Sequence, residues 1–174
     1  MNKICKKLQY RLNIMRKNNK ITFQFISEPS DVNYGGKVHG GIVMKWIDQV
    51  AYTCASTWAE KYCVTIYVGG IRFYKPINIG EVIRVEAYVI YTGKTSIHIA
   101  VDVYSRHIQN PTFVKKTHCV IVFVAVGEDG KPSIVDKFLP ENETETKLEQ
   151  YAMRLKSLRE KIDEEMMPFV EGLN

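Results

Sequence analysis

Asp48 is the only carboxylate between Asp31 and Glu60, and it stands beside Ile47 and Val50 in a largely apolar stretch. A carboxylate held where water is scarce can act as a general base or nucleophile, its reactivity tuned by partial burial. It can equally face solvent and pair with Lys45, three residues earlier. Gly40 and Gly41 open the same stretch. Glycines ahead of a buried helix leave backbone N–H groups unobstructed at the end of the dipole that attracts negative charge. Such a pair suits an oxyanion site, and it suits a tight turn as well. Asn33 and His39 flank the loop before the helix. Either can hydrogen-bond a carbonyl oxygen or position a water, but Asn33 is also a common turn residue and His39 can cap the helix.

Gly41 and Asp48 are seven residues apart, so they share a helix face but lie roughly 10 Å from each other along the axis. They cannot both touch one carbonyl. If both serve one reaction, the amides come from one subunit and Asp48 from another, on two antiparallel helices side by side. A two-fold dimer supplies that arrangement twice.

The elements that must position these groups follow from periodicity. Ile21 to Ile26 roughly alternate apolar and polar, which predicts a first strand that Glu28, Pro29, Ser30 and Asp31 end. Ile42, Val43, Trp46, Ile47, Val50, Ala51 and Cys54 recur at three-and-four spacing, which predicts a buried helix of about 18 residues, or roughly 27 Å. Ala51, Ala55 and Ala59 allow it to pack closely. β-Branched and aromatic runs then predict four strands, over Val64–Tyr74, Val82–Tyr91, Ile97–Tyr104 and Val120–Val126. The second of these alternates as expected of a sheet with one wet face, whereas the last is apolar on both faces and so belongs in the middle of the sheet or at a subunit contact. Lys75-Pro76, Thr92-Gly93-Lys94, Asn110-Pro111 and Glu128 to Pro132 are the turns. From Glu143 to Met166 the set Leu148, Tyr151, Leu155, Leu158, Ile162 and Met166 predicts a closing amphipathic helix, with acidic residues at its positive end. Strand, long helix and four antiparallel strands make an α+β domain in which one sheet wraps a central helix. The organisation is a basic arm over 1–20, a domain over 21–140, and the closing helix and tail over 141–174.

Composition narrows the function classes. A chain of 174 residues, 45% apolar and 25% charged, supports one sizeable core. No apolar run reaches the roughly 20 residues that cross a bilayer, and the basic start lacks a signal-peptide core, so a cytoplasmic protein is expected. Cys5, Cys54, Cys63 and Cys119 have no C-x-x-C spacing and are expected to be free thiols. The four histidines show no metal-ligand spacing, so neither a metal nor a separate cofactor is expected. The formal charge of +5 favours anionic ligands such as a nucleotide-bearing substrate. Much of that charge sits in the first 20 residues, which we expect to be a solvated arm with no nucleic-acid partner.

The string N-x-x-G-x-x-H-G-G-x-x-M-x-x-x-D, carried by Asn33, Gly36, His39, Gly40, Gly41, Met44 and Asp48, resembles the broad acyl-CoA hydrolases of the hot-dog fold. That group includes bacterial short-to-medium-chain enzymes and the mammalian cytosolic brain-type enzyme, which shares the histidine at the position of His39. Ile71-Arg72-Phe73, Lys75-Pro76-Ile77, Gly80, Gly93-Lys94-Thr95-Ser96, Val122 to Val126 and Gly130-Lys131-Pro132 follow in the family's order. The resemblance covers about Ile21 to Pro140. It implies hydrolysis of fatty acyl-CoA to acid and CoA, with CoA a part of substrate and product. It implies Asp48 as base or nucleophile, Asn33 assisting from the facing subunit, and amides at Gly40 and Gly41 on the thioester oxygen. For the CoA phosphates it points to the Gly93-to-Ser96 turn, with Lys94, Thr95 and Ser96. We add Lys75 and Arg106 as further cations for them. Family members are dimers grouped into trimers of dimers, so a homohexamer is expected.

The same fold hosts dehydratases and acyl-CoA-sensing repressors, so the site has to carry the argument. A dehydratase's proline-rich motif is absent, and the segment before Ile21 is too short for a helix-turn-helix. A non-catalytic acyl-CoA-binding or sensing protein is the alternative.

Overall fold

The computed structural model describes residues 17–170. Strand β1 (Lys20–Ile26) leads through a 3-10 turn (Pro29–Asp31) and a loop into helix α1 (Gly40–Ala59). Strands β2 (Tyr62–Phe73), β3 (Val82–Thr92), β4 (Ser96–Arg106) and β5 (Val114–Val126) follow, and helix α2 (Glu143–Val170) closes the chain. The five strands form one antiparallel sheet in the order β1-β3-β4-β5-β2. The hot-dog architecture expected from the sequence is present, with α1 as the central helix.

The small-residue stripe explains why α1 can lie so close to the sheet: Ala51, Cys54 and Ala55 are fully buried. Val43, Ile47 and Val50 join them, and this face packs on Ile83, Val85, Ile99, Val101, Ile121 and Phe123 to make the main core. Trp58 anchors the far end by donating its indole N–H to the carbonyl of Asp136 at 3.1 Å. Glu60 then takes a left-handed conformation, φ 53°, and ends the helix with its N–H on the Ser56 carbonyl.

β5 begins six residues before the expected Val120. Lys115, Lys116 and His118 interrupt the apolar run there, yet each is satisfied: Lys115 and His118 by Asp102 on β4, and Lys116 by the carbonyl of Pro76 in the loop after β2. β5 lies between β4 and β2, as its two apolar faces required. β3 does not have the wet face its alternation suggested. Ala152 of α2 is buried against Ile90, Ala100 and Val120, flanked by Leu148, Tyr151 and Leu155. Of the basic arm, residues 1–16 lie outside the described residues. Lys17, which has no acidic neighbour in sequence, finds two in space, Asp136 at 2.6 Å and Glu60 at 3.1 Å.

β2 is an edge strand with a bulge after Thr65 and another after Gly69. It exposes Tyr62, Ile66, Val68 and Phe73, an apolar edge of the kind a monomer does not leave bare.

Candidate active site

The loop from Asp31 to His39 is held by its own backbone. The N–H of His39 reaches the Asp31 carbonyl at 2.8 Å, and that of Asn33 reaches the Lys37 carbonyl at 2.7 Å. Val38 is tied to Ile77 at 2.9 Å, and Lys37 donates to the Asn78 side chain at 2.6 Å. The Oδ1 of Asn33 accepts from the N–H groups of Gly35 and Lys37, at 2.8 and 3.1 Å. Asn33 is therefore a turn residue, and its amide NH2 is the part left over for a ligand. Tyr34, at the tip of this loop, is fully exposed.

His39 caps α1, since its Nδ1 accepts the N–H of Gly41 at 3.0 Å. A Cβ at Gly41 would stand 3.2 Å from that nitrogen, close enough that the ring would have to shift slightly. The Gly41 N–H is thus engaged by the imidazole. The Gly40 N–H has no hydrogen-bond partner among the described residues. Its carbon faces open space, with the Phe73 ring 3.9 Å from where a Cβ would be.

Asp48 is exposed, and its Oδ1 accepts the hydroxyl proton of Thr65 at 3.0 Å. Among the described residues no ion pair joins it to Lys45. The carboxylate sits on the rim of a cleft of about 330 Å³ lined by Gly41, Met44, Ile47, Val68, Ile71 and Ile121. The lining is almost wholly apolar apart from the Asp48 carboxylate and the Lys45 amine. The geometry offers an oriented carboxylate with one free oxygen, an alkyl-lined groove, and helix-start amides further along the same face. Thr65 is absent from the sequence-derived set because a threonine in a strand is unremarkable.

The anion-binding candidates fall at two opposite ends of the sheet. Gly93 to Ser96 form the tight β3–β4 turn, where the Gly93 N–H donates to the Ser96 carbonyl at 2.9 Å. A Cβ at 93 would stand 2.6 Å from the Ser96 hydroxyl, so any larger residue there requires that side chain to rotate away. Lys94 is exposed, and Thr95 and Ser96 are half-buried. Gly40 and Lys75 lie at the other end with Phe73. Phe73 pairs with Thr117 on β5, while Ser96 pairs with Val124 on the same strand. Those rungs are seven residues apart, roughly 23 Å. Arg106 is largely committed to its own turn, with Nη1 donating to the carbonyls of His107, Ile108 and Asn110 at 3.3, 3.1 and 3.2 Å.

The other titratable groups are structural. His98 is buried beneath α2; burial first, then the charges of Arg159 and Lys156, push it down to about 4. Cys54, Cys63 and Cys119 are buried thiols, pushed up to about 12, 11 and 12, with desolvation the leading cause in each.

A thioesterase superfamily model matches residues 35–112. Protein VdlD of Helicobacter pylori is 31% identical over 140 residues, 80% of each chain. An uncharacterised acyl-CoA thioester hydrolase of Buchnera aphidicola is 32% identical over 126 residues, 68% of this chain and 93% of the relative. The acyl-CoA hydrolase of Staphylococcus aureus, solved with butyryl coenzyme A, coenzyme A and coenzyme A disulfide, superposes with TM-score 0.83 at 26% identity, over 89% of this chain and 94% of that one. A hexameric acyl-CoA thioesterase superposes with TM-score 0.79 at 29% identity, over 82% and 92%. Variants of the S. aureus enzyme replace an aspartate, an asparagine and a threonine by alanine, and the intervals between those positions match Asn33, Asp48 and Thr65.

Proposed function

Because the chain belongs to the thioesterase superfamily, among its acyl-CoA thioester hydrolases, we propose that it hydrolyses fatty acyl-CoA at sites shared between two copies, with Asp48 as the reacting carboxylate. The observation that carries this is the Thr65–Asp48 hydrogen bond at the rim of an apolar cleft. One carboxylate oxygen is fixed by Thr65. The other is free to attack the thioester carbonyl, or to take a proton from a water that attacks it.

The helix-start amides belong to the facing copy, since Gly41 of the same chain is roughly 10 Å from Asp48 along α1. Pairing of β2 with its two-fold mate sets the two α1 helices antiparallel and covers Ile66 and Val68. It also brings the Gly93-to-Ser96 end of one copy beside the Gly40 end of the other. Lys94, Thr95 and Ser96 of one copy, with Lys75 of the other, then surround the CoA phosphates, and Arg106 contributes only charge. The Gly40 N–H binds the thioester oxygen first. Gly41 joins it when the His39 ring yields, and the Asn33 amide donates alongside. When water attacks, the tetrahedral adduct collapses, the C–S bond breaks and the CoA sulfur leaves with the proton that Asp48 took from the water; when the carboxylate attacks, CoA leaves as a thiolate that takes its proton from solvent, and water then hydrolyses the acyl–Asp48 anhydride to free acid and the restored carboxylate. A preorganised donor is worth about 10²–10³ in rate and a positioned base about 10²–10⁴, enough for an already activated thioester without a metal.

We assign the dimers to a homohexamer, as in the hexameric neighbour. A reducing cytoplasm suits the three unpaired buried thiols. CoA release is measured with a thiol reagent across acyl-CoAs of two to sixteen carbons, for wild type and Asp48→Ala, with assembly checked by light scattering. Turnover by the wild type and its loss in an equally assembled variant is the expected result. Binding of acyl-CoA by the wild type without CoA release defeats the proposal in favour of a sensor.

A further inference from the structure

Helix α2 is longer than the sheet face it covers. Its residues up to Leu155 pack on β3, β4 and β5, and Arg159 lies over the ring of Tyr67, on the edge strand β2, at 5.0 Å. From Glu160 to Val170 every residue is exposed. Yet the apolar seam does not stop where the sheet contact stops. Leu158, Ile162, Met166 and Phe169 continue the row begun by Leu148, Tyr151 and Leu155, and all four are more than half exposed. A helix that ended its packing at Arg159 would have no need of them.

The seam from Leu155 to Phe169 reads the same in both directions about Ile162. Leu155 and Phe169 are each seven residues from it, and Leu158 and Met166 each four. A two-fold axis through Ile162 that runs a second α2 antiparallel therefore sets Leu155 against Phe169 and Leu158 against Met166, with Ile162 against itself. The charges obey the same operation. Arg159 meets Glu165, and Lys161 meets Asp163. The one like-charged pairing is Glu160 with Glu164, and Glu160 is already matched within its own helix by Lys156 at 3.8 Å. A parallel pairing would instead set Arg159 and Lys161 against themselves and Asp163, Glu164 and Glu165 against themselves, so charge selects the antiparallel arrangement.

We propose that the C-terminal half of α2 docks on the same helix of a second copy, antiparallel, across the two-fold axis that pairs the β2 strands. This rests on the β2-paired dimer of the preceding subsection, and the helix makes its last sheet contact on that strand. The helix pair ties the outer faces of the two sheets together, on the side away from the active sites.

The test is disulfide trapping in the full chain carrying Cys5→Ser, so that the remaining native thiols are the buried ones. A residue on the axis meets its own mate within disulfide range, whereas Leu158 and its mate are about 12 Å apart along the helices. Mild oxidation should therefore convert Ile162→Cys, but not Leu158→Cys, to a covalent dimer, and the double variant Leu158→Cys/Met166→Cys should also cross-link. Light scattering of the reduced proteins reports the assembly, dimer or hexamer, independently. A dimer or hexamer in which Ile162→Cys stays uncross-linked overturns the helix pairing and leaves the β2 dimer standing. A monomer in solution overturns both. Equal cross-linking at 158 and 162 refutes the antiparallel register, and flotation of an uncross-linked dimer with phosphatidylglycerol vesicles would give the seam to lipid and refute the proposal.

Discussion

Asp102 is the most heavily engaged carboxylate in the described chain, and replacing it with asparagine should cost stability in a pH-dependent way while leaving hydrolysis intact. Its Oδ1 accepts from Lys115 Nζ at 2.6 Å and from His118 Nδ1 at 2.7 Å, and its Oδ2 from the Tyr88 hydroxyl at 2.8 Å. The other nitrogen of His118 faces the Tyr151 hydroxyl at 3.2 Å, which links the network to α2. Burial, the largest influence, would raise this carboxyl, but the bonds from His118, Lys115 and Tyr88 and the Lys115 charge outweigh it and hold it at about 2, against 3.8 unperturbed. The folded value lies below the unfolded one, so the stabilisation is complete above the unfolded value and is lost as pH falls through the folded one. The difference is worth about 2 kcal/mol above pH 5 and about 1 kcal/mol at pH 3.

Asp102→Asn should therefore unfold in urea about 2 kcal/mol more easily than wild type at pH 7 and pH 5, with the gap roughly halved at pH 3. Fluorescence of Trp46 and Trp58 reports the transition, at one protein concentration because assembly couples to stability. CoA release per folded site should not change, since Asp102 lies on the sheet face opposite α1. A gap that is the same at pH 3 as at pH 7, or below about 0.5 kcal/mol at pH 7, would show that the network's bonds do not favour the ionised carboxylate in the folded state. That result would sink the reasoning.

Thr65→Val keeps the shape of β2 but frees the Asp48 oxygen, and should lower kcat about 10- to 150-fold with little change in KM, the size of one lost hydrogen bond to a charged group; a drop confined to KM would show that Thr65 binds rather than orients. His39→Leu removes the α1 cap and should cost about 1 kcal/mol in urea unfolding, and stability equal to wild type would mean that water caps the helix equally well. The Cys5→Ser protein should show no reaction with a thiol reagent over minutes at pH 8 and three reactive thiols in urea, because burial pushes Cys54, Cys63 and Cys119 up to about 12, 11 and 12; prompt labelling of the folded protein would place one of them at the surface.

What the sequence made legible was whatever depends on local periodicity. The face of α1, the succession of strands along the chain and the amphipathic start of α2 all rest on side chains that must be buried together, and apart from the start of β5 each was predicted within a few residues. The start of β5 was hidden because Lys115, Lys116 and His118 are satisfied by partners 13 to 40 residues away, and no local pattern reveals such partners. His39 could not be assigned from its neighbours because capping and catalysis ask for the same residue at the same place; the 3.0 Å contact to the Gly41 N–H identifies the cap. Thr65 was invisible because its role exists only in relation to Asp48, 17 residues earlier on another element. The anion-binding set mixed residues from both ends of the sheet, a distinction that only strand pairing reveals.

On the proposed mechanism, that division between the two ends makes the site a property of a pair. One α1 carries both the carboxylate and the helix-start amides, but its rise holds them too far apart for one carbonyl. The Gly93-to-Ser96 turn, proposed to hold CoA, lies roughly 23 Å of strand away from the amides of its own chain. Each copy thus contributes two half-sites that it cannot use alone. The surface between them, with Met44, Ile66 and Val68 exposed around Asp48, is also the apolar surface a single chain leaves uncovered. Covering it and completing the chemistry are one event, so a charge placed on the β2 edge should reduce hydrolysis in proportion to the dimer it dissociates. Activity per chain should return with protein concentration, as mass action requires.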